Sequence, residues 1–193
     1  MSATNAPFGM RPAFHPTGLD RAKAYTNGIA SGYATGILKF QPVFLNATGR
    51  VIAPVAASGA DFIGAFAGVD YIDAFGKPVY SNQWVASTVT LANTPINVWV
   101  WDDPNIIYEI QADGTIAQNQ GNQLDFTAVT AGSTFTGISA ATAGSATLKG
   151  TGVQGMLKII DKGRQIDNDW GDAYTILQVQ IARHQYVSAK VAV

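Results

Sequence analysis

A chain of 193 residues is long enough to bury a sizeable core, as one large domain or two small ones. Charged side chains make up 13% of it, about half the ~25% of an ordinary soluble domain, and the formal net charge is −1. No basic cluster interleaves with aromatic residues, so nucleic-acid binding is not suggested; the absence of cysteine excludes disulfides, thiolate zinc sites and a thiol nucleophile.

Glu109 is the only glutamate, and positions that helices give to Glu, Lys and Arg are occupied by Thr, Val, Ile, Gly and aromatic residues. The expected class is therefore all-β, and a surface so poor in charge is expected to be covered partly by other subunits. The charge is laid out unevenly: residues 1–50 carry five basic side chains against Asp20, residues 61–125 carry eight acids against Lys77, and residues 126–193 return to +2. Either an acidic middle steers the basic ends of a neighbouring subunit onto itself, or these are solvated loops of chance sign.

In chain order, residues 1–20 contain Pro7, Pro12 and Pro16, with Phe8, Met10 and Phe14 between them. Proline removes backbone donors and holds its predecessor extended, so the segment is expected to be neither a helix nor a central strand. It reads as an extended arm whose apolar anchors, Phe8, Met10 and Phe14, dock on a partner. On that reading its removal leaves a β-rich body, residues 21–193, folded. From Tyr33 onward the chain is strand-like, and Asn46-Ala47-Thr48-Gly49 signals a hairpin turn. The same residues match a glycosylation sequon, but a turn needs them anyway. Residues 61–72 read as strand, with Gly64 and Gly68 marking bulges or close backbone approach. Gly76-Lys77-Pro78 reads as a turn and Thr88 to Leu91 as a short strand.

Asn97 to Gly114 reads as a hairpin: Val98 and Val100 alternate with Trp99 and Trp101, Asp102-Asp103-Pro104-Asn105 turns the chain, and Ile106, Tyr108 and Ile110 alternate with Ile107, Glu109 and Gln111. Residues 127–155 change character, since 22 of these 29 are Ala, Gly, Ser or Thr and Lys149 is the only charge. They are expected to form a long loop or short edge strands packed on a neighbour, with a polar interdomain linker as the other reading; Val129, Phe135, Ile138 and Leu148 favour edge strands. Met156 to Ile160 and Ala173 to Tyr186 read as strands, the latter with Leu177, Val179 and Ile181 on one face and Ile176, Gln178 and Gln180 on the other.

The chemical motifs are weak. Gly150 to Gly155 matches the dinucleotide fingerprint in letters, but it follows a low-complexity stretch and precedes a strand rather than a helix. Asp167 to Asp172 resembles the start of a calcium loop but lacks the closing glutamate, so a turn is expected there. His184 is the only histidine outside the arm, where His15 lies, and no nucleophile elbow accompanies it, so no enzyme activity, cofactor or metal is expected. The four Trp and seven Tyr suit either a β-core and subunit interface or a sugar-binding surface. The most apolar window, Val51 to Val69, is broken by Pro54, Gly59, Asp61, Gly64 and Gly68, and no membrane span is expected.

Four stretches carry a resemblance. NAPFGMRPAFHPTG is similar to the N-terminal arm of head-decoration, or cement, proteins of tailed bacteriophages. VWVWDDPNIIYEIQADG resembles their DDP-x(3)-YE-x-QADG segment, and DNDWGDAYTILQVQIARHQY their D-N-x-WGDAYT…RHQY ending. FQPVFLNATGRVIAPVAASGADFIGAFAGV is more loosely similar to the hairpin and following strand of lambda-type decoration proteins. Together these stretches cover most of the chain except 127–155. The resemblance implies a β-barrel, β-tulip or jelly-roll-like body, made in the host cytoplasm and placed on the outer capsid surface. It implies two partners, the major capsid protein and further copies of itself, as a homotrimer rather than a homodimer; nucleic acid is not among them. A phage tail or head-fibre protein is the nearest alternative, and a carbohydrate-binding β-module is the alternative of another class.

Overall fold

In the computed structural model, which describes residues 4–18, 21–54 and 59–187, the β-branched and aromatic runs form short antiparallel strands. The first nine are β1 (Arg11–Phe14), β2 (Lys23–Thr26), β3 (Ile37–Leu38), β4 (Pro42–Leu45), β5 (Val51–Ile52), β6 (Gly64–Ile72), β7 (Pro78–Ser81), β8 (Gln83–Trp84) and β9 (Asn97–Trp101). Six follow: β10 (Ile107–Gln111), β11 (Gln123–Leu124), β12 (Gly132–Ser133), β13 (Ile138–Ser139), β14 (Leu157–Lys162) and β15 (Ile176–Ile181). With 38% strand and 2% helix, the class is all-β. Among the described residues no helix is long and apolar enough to cross a membrane.

Two larger sheets divide the chain almost by halves. The first runs β2-β9-β6-β4-β5, with β7 also paired to β6, and the second runs β1-β10-β15-β14-β11. Both are open, so the expected barrel does not close. Each half of the sequence builds its own sheet except for β1, which crosses over to the edge of the C-terminal sheet. Pro12 is tolerated there because an edge strand has one side without ladder partners.

Two apolar cores follow, and β4 and the start of β6 form the wall between them. Phe44, Phe62 and Ala65 face the core built on the second sheet, whereas Val43, Ile63 and Phe66 face the core built on the first. The wall has no room at Gly64: a Cβ there would lie 1.7 Å from the Trp101 carbonyl oxygen. Gly68 is similarly confined, 2.9 Å from the Ser81 carbonyl oxygen, and the β6–β9 register shifts between Phe66 and Gly68. Both glycines thus have the close approach, and β6 the bulge, expected from the sequence.

The Asn46 turn joins β4 to β5, its Oδ1 accepting the backbone N–H groups of Thr48 and Arg50. The Gly76 turn joins β6 to β7 in the same manner, through Oδ1 of Asp73. Thr88 to Leu91 makes only a single bridge, Thr90 to Asp73, instead of a strand.

The expected hairpin at Asn97 to Gly114 is corrected. β9 and β10 do not pair: β9 lies between β2 and β6, β10 lies between β1 and β15, and each therefore has both edges taken. Asp102 to Ile106 is a passage from one sheet to the other.

Residues 127–155 fold onto the body as short strands. β12 and β13 form a ribbon whose tip is held by Nδ2 of Asn82 on the Thr136 carbonyl and Nε2 of Gln83 on the Thr134 carbonyl. Val129, Ala141 and Ala143 are buried, while Phe135 stands in solvent at the tip. The lone charge of the stretch, Lys149, pairs at 2.5 Å with the buried carboxylate of Asp125, which also accepts the Met156 N–H. Breaking that pair strands a buried charge, so it holds the otherwise weakly apolar segment down.

Gly64→Ala is expected to destabilise the protein by about 3 kcal/mol or more, because its Cβ meets backbone that cannot yield. Gly49→Ala, at φ +74 with open space around it, is expected to cost about 1 kcal/mol. Denaturant midpoints of the two variants give the comparison, and equal losses would contradict this packing.

Candidate functional site

The arm is the first candidate, and its three anchors separate in the fold. Met10 is 0% exposed and lies in the core of the second sheet, its N–H donating to the Phe40 carbonyl at 2.8 Å. Phe8 is half-buried, with the Arg11 guanidinium 4.8 Å from its ring centroid. Phe14 is 54% exposed. Arg11 donates to Glu109 at 2.6 Å, and Gln111 brackets the arm by accepting from the Ala6 N–H and donating to the Thr4 carbonyl. This corrects the expectation of an arm docked wholly on a partner: Met10 is spent on the arm's own body, and only Phe14 and part of Phe8 face outward.

The second cluster is the sheet-to-sheet passage. Asp103 Oδ1 accepts the Asn105 N–H at 2.8 Å, which closes the turn locally. Asp102 Oδ2 accepts the Tyr25 hydroxyl at 2.5 Å and lies 3.5 Å from the Lys23 ammonium. The Pro104 carbonyl accepts from Gln180, and the Tyr108 hydroxyl donates back to the Trp101 carbonyl at 2.8 Å. His15, at the end of the arm, places Nε2 3.3 Å from Asp103 Oδ2. His184 places Nε2 3.0 Å from the Asp102 carbonyl oxygen while its Nδ1 receives the Tyr186 N–H.

A carbonyl only accepts and an amide only donates, so His184 is held as the neutral tautomer protonated on Nε2. Burial lowers its pKa, outweighing the opposing pull of the Asp102 carbonyl and carboxylate. The Asp103 carboxyl is held below its usual value, mainly by the Asn105 N–H and further by His15. Burial, with the Asp102 hydrogen bond, raises the Tyr25 phenol well above its usual range. Every charged group of the passage thus has an intramolecular partner. Three of the basic side chains of the two ends meet the acidic middle within one subunit, through Arg11–Glu109, Lys23–Asp102 and Arg183–Asp61.

The remaining motifs resolve as backbone devices. Gly150 to Gly155 runs into β14, and Gly155 packs where a Cβ would lie 2.8 Å from the Leu124 backbone. In the Asp167 to Asp172 turn, Asn168 is fully buried: its amide donates to the Gly163 and Ile176 carbonyls and its oxygen accepts the Ile176 N–H. Among the described residues no three potential metal ligands converge.

Sequence reasoning missed one further feature, on the outer face of the first sheet. Trp99, 40% exposed, and Tyr80, 83% exposed, line one open groove across β6. Asp70 lies at its centre, Oδ1 accepting the Trp99 indole N–H at 2.6 Å and Oδ2 accepting from Asn97 at 2.8 Å. The signal was present as period-two alternation, which put Trp99 opposite Val98 and Val100, but the partner strands were not legible. Compared with protein-family models, curated proteins and solved structures, the chain matches none of them.

Two expectations follow. Met10→Ala is expected to lower folding stability by about 2–5 kcal/mol, whereas Phe14→Ala stays within about 0.5 kcal/mol. Urea unfolding compares them, and a neutral Met10→Ala would contradict the placement of Met10 in the core. His184, with its depressed folded pKa, contributes stability that is full above its unfolded value of about 6.5 and is lost as pH falls below it. Melting temperature is therefore expected to drop between pH 7 and pH 5, less steeply in His184→Gln; an unchanged slope in that variant would contradict the assignment.

Proposed function

We propose that the protein is a structural component of a tailed-phage virion: a decoration, or cement, protein that binds the outer surface of the head and stabilises it. Its partners on this reading are the major capsid protein and its own copies, most naturally as a homotrimer, and it carries out no reaction. The observation that supports this best concerns the stretches that resemble decoration proteins. The arm, the 98–114 segment and the 167–186 ending are far apart in sequence, yet they supply β1, β10 and β15, three neighbouring strands of one sheet. The 98–114 segment also carries β9, and the looser 40–69 stretch carries β4, β5 and most of β6, so the resembling stretches reach into both sheets.

The surface fits the same role. A cement protein works by bridging neighbours under pressure, which calls for a stiff body and apolar contacts at its periphery. Phe75 and Phe135 stand almost fully exposed on hairpin tips, and Phe14 is exposed on the edge strand. A monomer gains nothing from aromatic rings held in water, whereas buried in a neighbour each contributes roughly 1.5–3 kcal/mol before ordering costs.

Quantitative protein analysis of purified virions tests the reading. Hundreds of copies per particle, released together with loss of head stability, are expected; a few copies per particle would move the protein to the tail or a head fibre. Sedimentation of the free protein at micromolar concentration is expected to show a species heavier than the monomer. Phe135→Ala and Phe14→Ala together are expected to weaken capsid attachment at least about tenfold, or 1.4 kcal/mol. Unchanged attachment would remove these contacts from the account.

A further inference from the structure

The groove on the outer face of the first sheet has a construction that packing alone does not require. Trp99 lies opposite Gly68 in the β6–β9 ladder, and Tyr80 lies opposite Asp70 in the β6–β7 ladder, so the two rings flank β6 from either side. The floor between them is kept low by Gly68, where a side chain would strike the Ser81 carbonyl, and by the β6 bulge next to it. Bulges next to binding sites commonly re-aim side chains in this way. The Trp99 ring does not rotate freely, because its N–H is tied to Asp70, whose other oxygen is tied to Asn97.

We infer that this groove is a binding site for a neutral saccharide chain, with Trp99 as the stacking platform, Tyr80 as the opposite wall and Asp70 as the hydrogen-bond acceptor between them. A sugar ring has an apolar C–H face and a hydroxyl rim. The platform offers a fixed π-face for the first, and the fixed orientation reduces the ordering cost of binding. Each Asp70 oxygen keeps a further lone pair for the second, and the Tyr80 hydroxyl and Asn82 line the same groove. Asp70 is the one ionisable carboxylate in the lining and it already has two donors, so the site presents no cation for an acidic ligand. A peptide strand is a poorer fit to the floor of the groove, because β6 is paired with β7 and β9 and has no free edge to extend. The inference stands apart from the virion reading, since glycan binding by the free protein holds or fails whatever particle carries it.

The test uses the full chain and a panel of neutral hexasaccharides: cellohexaose, chitohexaose and mannohexaose. Titration calorimetry is expected to show binding of at least one, accompanied by a change in tryptophan fluorescence. Tyr80→Ala, a substitution of a largely exposed residue, keeps the melting temperature and is expected to weaken that binding several-fold. Trp99→Ala is expected to weaken it at least about tenfold. Asp70→Asn, which keeps the shape and the contact to Asn97 or Trp99 but not both, is expected to weaken binding while the protein stays folded. No binding of any probe up to about 10 mM would overturn the inference, because affinities weaker than that correspond to under about 3 kcal/mol. Binding that survives both aromatic substitutions would place the saccharide elsewhere and overturn it too. So would loss of self-association in Trp99→Ala and Tyr80→Ala, which would show a second copy seated on this face.

Discussion

The fold depends on the passage between its two sheets, where two chain crossings meet. The chain leaves the second sheet after β1 and returns to it after β9, and these two crossings meet where His15 faces Asp103. Asp102 adds the Tyr25 hydroxyl and the Lys23 ammonium from β2, and its carbonyl takes His184 from the end of β15. Three otherwise distant segments therefore converge on two consecutive residues. The Asp102 carboxylate and the two imidazoles are shielded, whereas Lys23 and Asp103 are partly in solvent, so the cost of losing a partner falls on Asp102 and His184.

The arm takes its meaning from this arrangement. β1 is an edge strand, but among the described residues it is the only strand of the first half of the chain that lies in the second sheet, and Met10 goes into the core beneath it. It straps one half of the molecule to the other. A separate partner anchor would need the same residue to be free. What remains for partners is the outer layer: Phe14 on the strap, Phe75 and Phe135 on hairpin tips, and the aromatic groove across β6.

Much of this was legible in the sequence where the reason is local. The Asn46 and Gly76 turns follow from side chains that bond their own backbone, Gly64 and Gly68 from the need for close approach, and the faces of β15 from period-two alternation. Pairing was not legible, because alternation tells which way a side chain points and not which strand lies beside it. That is why Val98 to Trp101 and Ile107 to Gln111 looked like a hairpin although each has two other neighbours. Met10 illustrates the same limit: a proline-rich run announces an extended chain, but whether it lies on its own body or a neighbour's is a tertiary fact. Trp99 could not be assigned to a site until Asp70 and Tyr80 were brought beside it by the β6 ladders.

Native-state hydrogen exchange of the free, full-length protein addresses the strap most directly. If the arm is part of its own body, the Met10 amide, bonded to the Phe40 carbonyl, is protected and opens together with the β10 and β15 amides, at the free energy of global unfolding. A Met10 amide that exchanges as fast as an unstructured chain while β10 and β15 remain protected would contradict the account.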